Sequence, residues 1–549
     1  MKGAEIVARV LKAEGVEFIT AFPHSEVIDA CAAAGIRPIL ARTERVAVNI
    51  ADGFARVTNN RRVSACTFQY GPGAENAFGA IAQAYADASP VLIVPGVYAR
   101  SDLGVRPNFQ GVENFGRITK WVGGANSVER IGELLLRAVT TLKNGKPGPV
   151  VVEIPDDLMN AELPSRAFKY ASPRAGRPQA DAAEVKETVA ALLAARNPVI
   201  YAGQGVFYAE AWDELRAFAD FVQVPVATTL AGKSCFPEDH PLALGAGGLS
   251  RTGMVEEFFG RADFVLGIGT SFTRSHYTTP PPAKATLAQV TNAPEDMNTC
   301  FPISYGAVGD AKAVLKQMLA EARRRLGNGG RRGAKDVARR VAASKAAFLK
   351  TWMPRLTSDD APISPYRVVW DLMHTVDRRK TMVTHDAGNP RDQTVPFYEA
   401  IVPHGYIGWG KSTQLGTGLG LSMGTKLAHP DWLTVNIMGD WAFGMVGMDF
   451  ETSLRANIPI LTVVMNNSVM GGYLKHMPVA RTRYKVDSTA VNHARLAEVL
   501  GGYGERVTRP SDLKPAFRRA IAEVKKGRSA MIEVMTREEP HFAPGKPPK

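Results

Sequence analysis

Short apolar runs alternate along the chain with segments whose apolar residues recur every three to four positions. That alternation is the pattern of strands and amphipathic helices in parallel α/β sheets. A first block, to about residue 160, predicts strands at 17–21, 36–41, 63–67, 91–95 and 150–154. The Pro-, Arg- and Ala-rich stretch 163–177 reads as a linker. A second block, about 182–326, holds strands at 198–201 and 264–266, which run into Gly203-Gln204-Gly205 and Gly267-Ile268-Gly269. Such turns let a backbone approach a phosphate at a helix N-terminus, or are simply tight strand-to-helix turns. Neither completes G-x-G-x-x-G. The Arg-rich stretch 323–340 reads as an exposed linker with a helical continuation. A third block, about 364–537, repeats the rhythm with strands at 381–385, 434–438, 460–465 and 530–534. The expectation is three α/β domains, each a doubly wound parallel sheet, at 1–165, 180–327 and 362–549.

Composition narrows the class without naming a partner. With 45% hydrophobic and 22% charged residues, the 549-residue chain is ordinary globular protein, not disordered or collagen-like. Lys and Arg number 66 against 53 Asp and Glu, a net charge of +13. That surplus favours anions, whether nucleic acid, phosphorylated cofactors or acidic metabolites. The 323–340 run lacks the interleaved aromatics of a nucleic-acid patch, so no nucleic acid is expected. No run approaches the ~18 apolar residues of a membrane span. The opening Met1-Lys2-Gly3-Ala4-Glu5 leads into an amphipathic helix rather than a signal peptide. Cys31, Cys66, Cys235 and Cys300 are widely spaced, as buried thiols in a reducing cytoplasm would be.

The chemistry concentrates in two apolar runs that end in small and polar residues. One is Ile437-Met438-Gly439-Asp440-Trp441-Ala442-Phe443-Gly444; the other is Leu461 through Asn466-Asn467-Ser468-Val469. Both would end at the carboxyl edge of a parallel sheet, where open α/β folds bind ligands. Neighbouring strands would then offer Asp440, Asn467 and a backbone carbonyl to a hard cation. Magnesium prefers oxygen donors and completes its shell with water and ligand phosphates. Taken singly, an Asp or Asn here would cap a helix.

Gly-Asp followed by Asn-Asn resembles the thiamine-diphosphate fingerprint of the acetolactate synthase, pyruvate decarboxylase and 2-hydroxyacyl-CoA lyase superfamily. The resemblance spans nearly the whole chain, in the order pyrimidine-binding, central and pyrophosphate-binding domain. Arg42-Thr43-Glu44 precedes Ala47-x-x-x-Ala51-Asp52-Gly53-Phe54-Ala55-Arg56, similar to the family's glutamate and its A-x-x-x-A-x-G-[YF]-A-R helix. Gly71-Pro72-Gly73-Ala74-x-Asn76, Ala86-Asp87-x-x-Pro90 and Phe109-Gln110 also fit.

The resemblance implies that Glu44 hydrogen-bonds N1′ of the cofactor's aminopyrimidine, so that a C2 ylid can attack a carbonyl. It implies magnesium on Asp440, Asn467 and the Val469 carbonyl. Gly388 and Asn389 fall where the family cradles diphosphate, and Leu415 where a bulky residue bends the cofactor. Asn76, Gln110, Gly439, Trp441, Ala442, Met470 and Gly471 complete the cofactor-binding set. His24 and His476 are candidate pocket acids or bases, each with a plain surface or loop reading beside it. The implied activity is a C–C bond lyase or carboligase acting on a 2-oxo acid or related small carbonyl donor through a C2-bound enamine. A CoA thioester substrate held by the central domain is a rival, and a catalytically silent binding subunit another. Because family sites lie between two chains, a homodimer or homotetramer is implied.

Departures from the pattern are informative. Trp441 replaces the usual glycine of G-D-G, and the run 439–452 looks most like the oxalyl-CoA decarboxylase and 2-hydroxyacyl-CoA lyase branch. Acetolactate synthase fits less well: its Phe-Gln-Glu is Phe109-Gln110-Gly111 here, and its pocket tryptophan aligns with His476. Segment 271–277 does not match the stretch that holds FAD in those enzymes, so FAD is not expected; a yellow protein with a flavin spectrum would overturn this. Gly420-Leu421-Ser422-Met423-Gly424 fits the hydrolase G-x-S-x-G, but its Gly- and Leu-rich helical setting argues against an exposed nucleophile.

Overall fold

A computed structural model describes residues 1–275, 277–327, 329–331, 333–473 and 475–544; His276, within the 271–277 segment, lies outside them. Three parallel sheets follow one another. The first contains β1 (Phe18–Phe22), β2 (Arg37–Leu40), β3 (Ala65–Phe68), β4 (Leu92–Ile93), β5 (Gly96–Val97), β6 (Trp121–Gly124) and β7 (Val150–Pro155). Its order is β2-β1-β3-β4-β7-β5, with β6 also on β7. The second contains β8 (Pro198–Ala202), β9 (Val226–Thr228), β10 (Ala243–Ala246), β11 (Phe264–Ile268), β12 (Thr286–Thr291) and β13 (Tyr305–Val308), ordered β10-β9-β8-β11-β12-β13. The third contains β14 (Thr381–His385), β15 (Tyr406–Ile407), β16 (Leu433–Gly439), β17 (Leu461–Asn466), β18 (Tyr503–Val507) and β19 (Ala530–Met535), ordered β15-β14-β16-β17-β19-β18. The three-sheet α/β architecture read from the chain is therefore the architecture of the protein.

The strands missing from the sequence reading are β5, β6, β9, β10, β12, β13, β15 and β18. Most are short, and several carry Gly or polar residues that blur the apolar run. The Arg-rich stretch also needs correcting. Its first three arginines end the helix Ala311–Leu326, and a second helix, Val337–Leu356, follows. Between them Arg331 is buried, its guanidinium donating to the Val222 and Gln223 carbonyl oxygens at the end of the helix Trp212–Val222. A cation at a helix C-terminus meets the negative end of the dipole. This part of the stretch is packed structure, not solvated linker.

The first and third sheets are joined by two helices, Glu44–Val57 and Thr417–Ala428. They touch backbone to backbone. A Cβ on Gly53 would lie 2.2 Å from the Leu421 carbonyl oxygen, and one on Gly424 2.0 Å from that of Ile50. Only glycine allows this approach. One apolar core accordingly mixes Val46, Ile50 and Phe54 with Leu419, Met423 and Phe443. Gly424→Val is expected to cost about 1–3 kcal/mol or more by overpacking, read as a lowered melting temperature. Ser422 is fully buried inside the second helix, its Oγ donating to the Leu419 carbonyl oxygen, so it is no hydrolase nucleophile.

Candidate active site

Each half of the site sits where a strand hands over to a helix. In the first domain, the chain leaves β2, and Thr43 caps the Glu44–Val57 helix, its Oγ1 accepting the Val46 N–H. Glu44 is the first helical residue and only 7% exposed. Its Oε2 accepts a hydrogen bond from the Asn76 amide, which rises from the helix Pro72–Ala86. Gly73 stands against it; a Cβ there would be 3.3 Å from Glu44 Oε1. The structure thus brings Glu44 and Asn76 together.

His24 and Gln110 belong to the same domain but behave differently. His24 follows β1 and is buried, with Nδ1 2.7 Å from Thr67 Oγ1. Burial lowers its pKa to about 4, so the imidazole is neutral near pH 7. Gln110 caps the short helix Gly111–Phe115, and its amide is occupied by its own loop, accepting from Gly104 N–H and donating to the Asn108 carbonyl oxygen.

In the third domain, β16 and β17 pair with Gly439 opposite Met465, so Asp440 and Asn467 emerge side by side at the carboxyl edge. Asp440 opens the helix Asp440–Val446 and is 5% exposed. Its Oδ1 accepts the Trp441 N–H at 2.9 Å, while buried Oδ2 has no partner among the described residues. Burial pushes its pKa up to about 6, against the pull of backbone N–H groups including those of Trp441 and Ser468. An orphaned, desolvated carboxylate oxygen is what a bound cation would satisfy. Asn467 Oδ1 accepts the Val469 N–H at 3.1 Å. Among the described residues no three His, Cys, Asp or Glu groups converge, so this donor set is one carboxylate with amide and backbone oxygens.

Gly388 and Asn389 belong to the same rim. Gly388 caps the helix Asn389–Thr394 with φ of +87°, and a Cβ there would meet open space. A Cβ on Gly471 would lie 2.4 Å from Asn389 Nδ2 and 3.3 Å from Asn467 Nδ2, which places these three residues around one concavity. Met470 is tied there through its N–H to the Asp487 carbonyl oxygen. Ala442 is buried, whereas the Trp441 indole Nε1 is buried with no partner among the described residues. Leu415 stands 36% exposed just before the Thr417 helix, its carbonyl oxygen accepting from the Arg45 guanidinium at 2.6 Å. His476 is on the exposed surface of the chain, edge-on to Tyr473. Among the described residues, no hydrogen bond or ion pair joins Glu44 or Asn76 to Asp440 or Asn467.

Three organising groups escaped the sequence reading. Asp386, fully buried, accepts the N–H groups of Ala387, Gly416 and Gly418, shaping the turn beside Leu415; burial still raises its pKa to about 6. Asp449 accepts the Arg42 N–H at 2.6 Å and the Thr43 hydroxyl at 3.2 Å, clamping the start of the Glu44 helix to the third domain. The third is Glu533, which accepts from Asn466, the first residue of the Asn-Asn pair, and also takes His493 and Arg506. No local motif marks any of them, since each partner comes from elsewhere in the chain.

The two Gly-x-Gly turns of the second domain pack on each other, a Cβ on Gly203 meeting the Gly269 carbonyl oxygen at 2.4 Å. They line a cleft of about 110 Å³ that Lys411 enters, its Nζ donating to Ser271 Oγ.

Residues 1–116, 185–318 and 386–534 match, in turn, the thiamine pyrophosphate enzyme N-terminal TPP binding domain, central domain and C-terminal TPP binding domain. The chain is 30% identical to a probable acetolactate synthase large subunit of Methanocaldococcus jannaschii, over 95% of its own length and 90% of the relative's. It is 28% identical to the acetolactate synthase isozyme 3 large subunit of Escherichia coli K12, over 99% and 96%. It is also 28% identical to the glyoxylate carboligase of Escherichia coli O157:H7, over 95% and 91%. With three matched domains in order and a donor-lined rim on the third sheet, the chain belongs to the thiamine pyrophosphate enzyme family and is a thiamine-diphosphate-dependent enzyme.

Proposed function

We propose that this protein is a magnesium-dependent carboligase or lyase acting on the carbonyl of a 2-oxo acid, within domains at 1–165, 180–327 and 362–549. The observation that carries this reading is the buried, unpartnered Asp440 oxygen beside Asn467 at the edge of the third sheet. The residues present fit the group: Asp440, Asn467 and the Val469 carbonyl would hold magnesium. Gly388, Asn389, Gly439, Met470 and Gly471 would take the diphosphate, with Trp441 offering a spare indole N–H. Leu415 would support the bend. When bound, thiamine diphosphate supplies the C2 nucleophile and the electron sink.

Glu44 would hold a proton at N1′ of the aminopyrimidine, and Asn76 keeps its carboxylate in place. Neutral His24 would present a polar wall to the carbonyl substrate, and Gln110 would close the first-domain side. Tyr70, Leu415, Met448 and Tyr473 are exposed large apolar residues, supporting cover by a second copy. In such a cytoplasmic homodimer or homotetramer the Glu44 half of one chain would meet the Asp440 half of another, with His476 turned into the shared pocket. A second reading, a CoA-thioester substrate, draws on Lys411 and the two glycine turns lining the central cleft. Screening 2-oxo acids and 2-hydroxyacyl-CoAs, read by product mass, separates the two. Condensed or decarboxylated products from free 2-oxo acids are expected; turnover of CoA thioesters alone would overturn the first reading.

A further inference from the structure

A second cavity lies where the second domain, the linking helix Val337–Leu356 and the third domain meet. Its volume is about 380 Å³, within the usual range of small-molecule sites. The inner wall is apolar and buried: Met254, Phe348, Met373 and Phe397. The rim is charged. Lys345 and Arg378, with side chains 30% exposed, share one carboxylate, Glu399. Glu238 also lines the cavity, but Lys233 behind the wall cancels it in a buried pair at 2.5 Å that sums to zero charge. His374, also at the rim, turns Nδ1 to the Trp370 carbonyl oxygen at 2.7 Å. Two cations against one carboxylate leave the lining one positive charge in excess.

An independent observation points to a ligand. Tyr398 lines the same cavity, is 1% exposed, and its phenol oxygen has no partner among the described residues. The charges of Arg378 and Glu238, both lining groups, act on it in opposite senses. Burial raises its pKa, so it remains an O–H donor. A buried donor left unpaired is uncommon and costly.

We propose that this cavity binds a small amphipathic monocarboxylate, an acid with an aryl or branched-alkyl body, at a place separate from the C–C bond site. The carboxylate would take the Tyr398 O–H and the surplus cation at Arg378 and Lys345. The apolar body would displace water from Phe348, Met373 and Phe397. A dianion such as phosphate fits poorly, because one excess charge and an apolar wall do not repay its dehydration. An amine meets charge of its own sign. The occupant would also brace the joint at which Glu238 accepts the Ala400 N–H at 2.8 Å, linking second and third domains.

The test uses the holoenzyme, loaded with thiamine diphosphate and magnesium, and 3-phenylpropionate as the probe. Calorimetry and saturation-transfer NMR should show one saturable site per chain, with 3-phenylpropan-1-ol and 3-phenylpropylamine each bound at least about tenfold more weakly. Tyr398→Phe and, at the exposed rim, Arg378→Gln should each weaken the acid roughly tenfold, with circular dichroism unchanged. Phe348→Trp should fill the cavity and abolish binding. Equal binding of acid and alcohol, indifference to both Tyr398→Phe and Arg378→Gln, or no transfer signal at millimolar probe would overturn the proposal. The readout is binding, so it stands or falls apart from turnover at Glu44.

Discussion

Replacing Glu44 with Gln should leave thiamine diphosphate bound yet reduce turnover by roughly 10²–10⁴-fold, the range for loss of a positioned acid or base. Gln is nearly isosteric and keeps an oxygen for the Asn76 amide, so the start of the Glu44 helix should keep its shape. What it loses is the ability to hold and return a proton. Fluorescence titration of the cofactor together with steady-state rates measures both halves of the expectation. Unimpaired turnover in Glu44→Gln would remove Glu44 from the chemistry. Loss of cofactor binding with turnover would instead make its role structural.

Asp440→Ala should act on the other half. Removing the carboxylate takes away the orphaned oxygen and the acceptor of the Trp441 N–H. Magnesium affinity is expected to fall by at least the roughly 10–100-fold that loss of a group merely supporting a metal ligand costs, and diphosphate binding with it. Calorimetric titration of magnesium in the presence of cofactor reads this directly; unchanged affinity would dismiss Asp440 as a ligand. Co-expression of the two variants carries a further expectation. If sites form between chains, each mixed dimer owns one intact pair of halves, and random mixing restores about a quarter of full activity. Sites built within a single chain would recover nothing.

The fold was legible where apolar runs were long and bounded by turn residues, as at β14, which lies where the pattern placed it. It was not legible at β10 and β15, where a glycine interrupts the run or only two residues pair. The place of Asp440 and Asn467 at the carboxyl edge of the third sheet could be read because a strand that ends in small and polar residues marks such an edge. Asp386 and Asp449 could not, since their meaning comes from the Gly416, Gly418 and Arg42 N–H groups. Arg331 misled for the same reason: an Arg-rich run looks solvated until a helix end 108 residues earlier accepts it. The exposed positions of His476 and Leu415 likewise depend on what covers them, which no local pattern encodes.

The glycine contact between the Glu44 and Thr417 helices has a consequence in time. Some 370 residues separate their starts, so at typical synthesis rates the first helix waits about 20–75 s for its companion to leave the ribosome. Throughout that interval Val46, Ile50 and Phe54 lack Leu419, Met423, Phe443 and the rest of the third-domain side of their core. The nascent first domain thus carries one finished core, from Ala4 to Leu163, and one open face, and a truncated chain ending after the second sheet is expected to expose that face, read as increased binding of a hydrophobic dye.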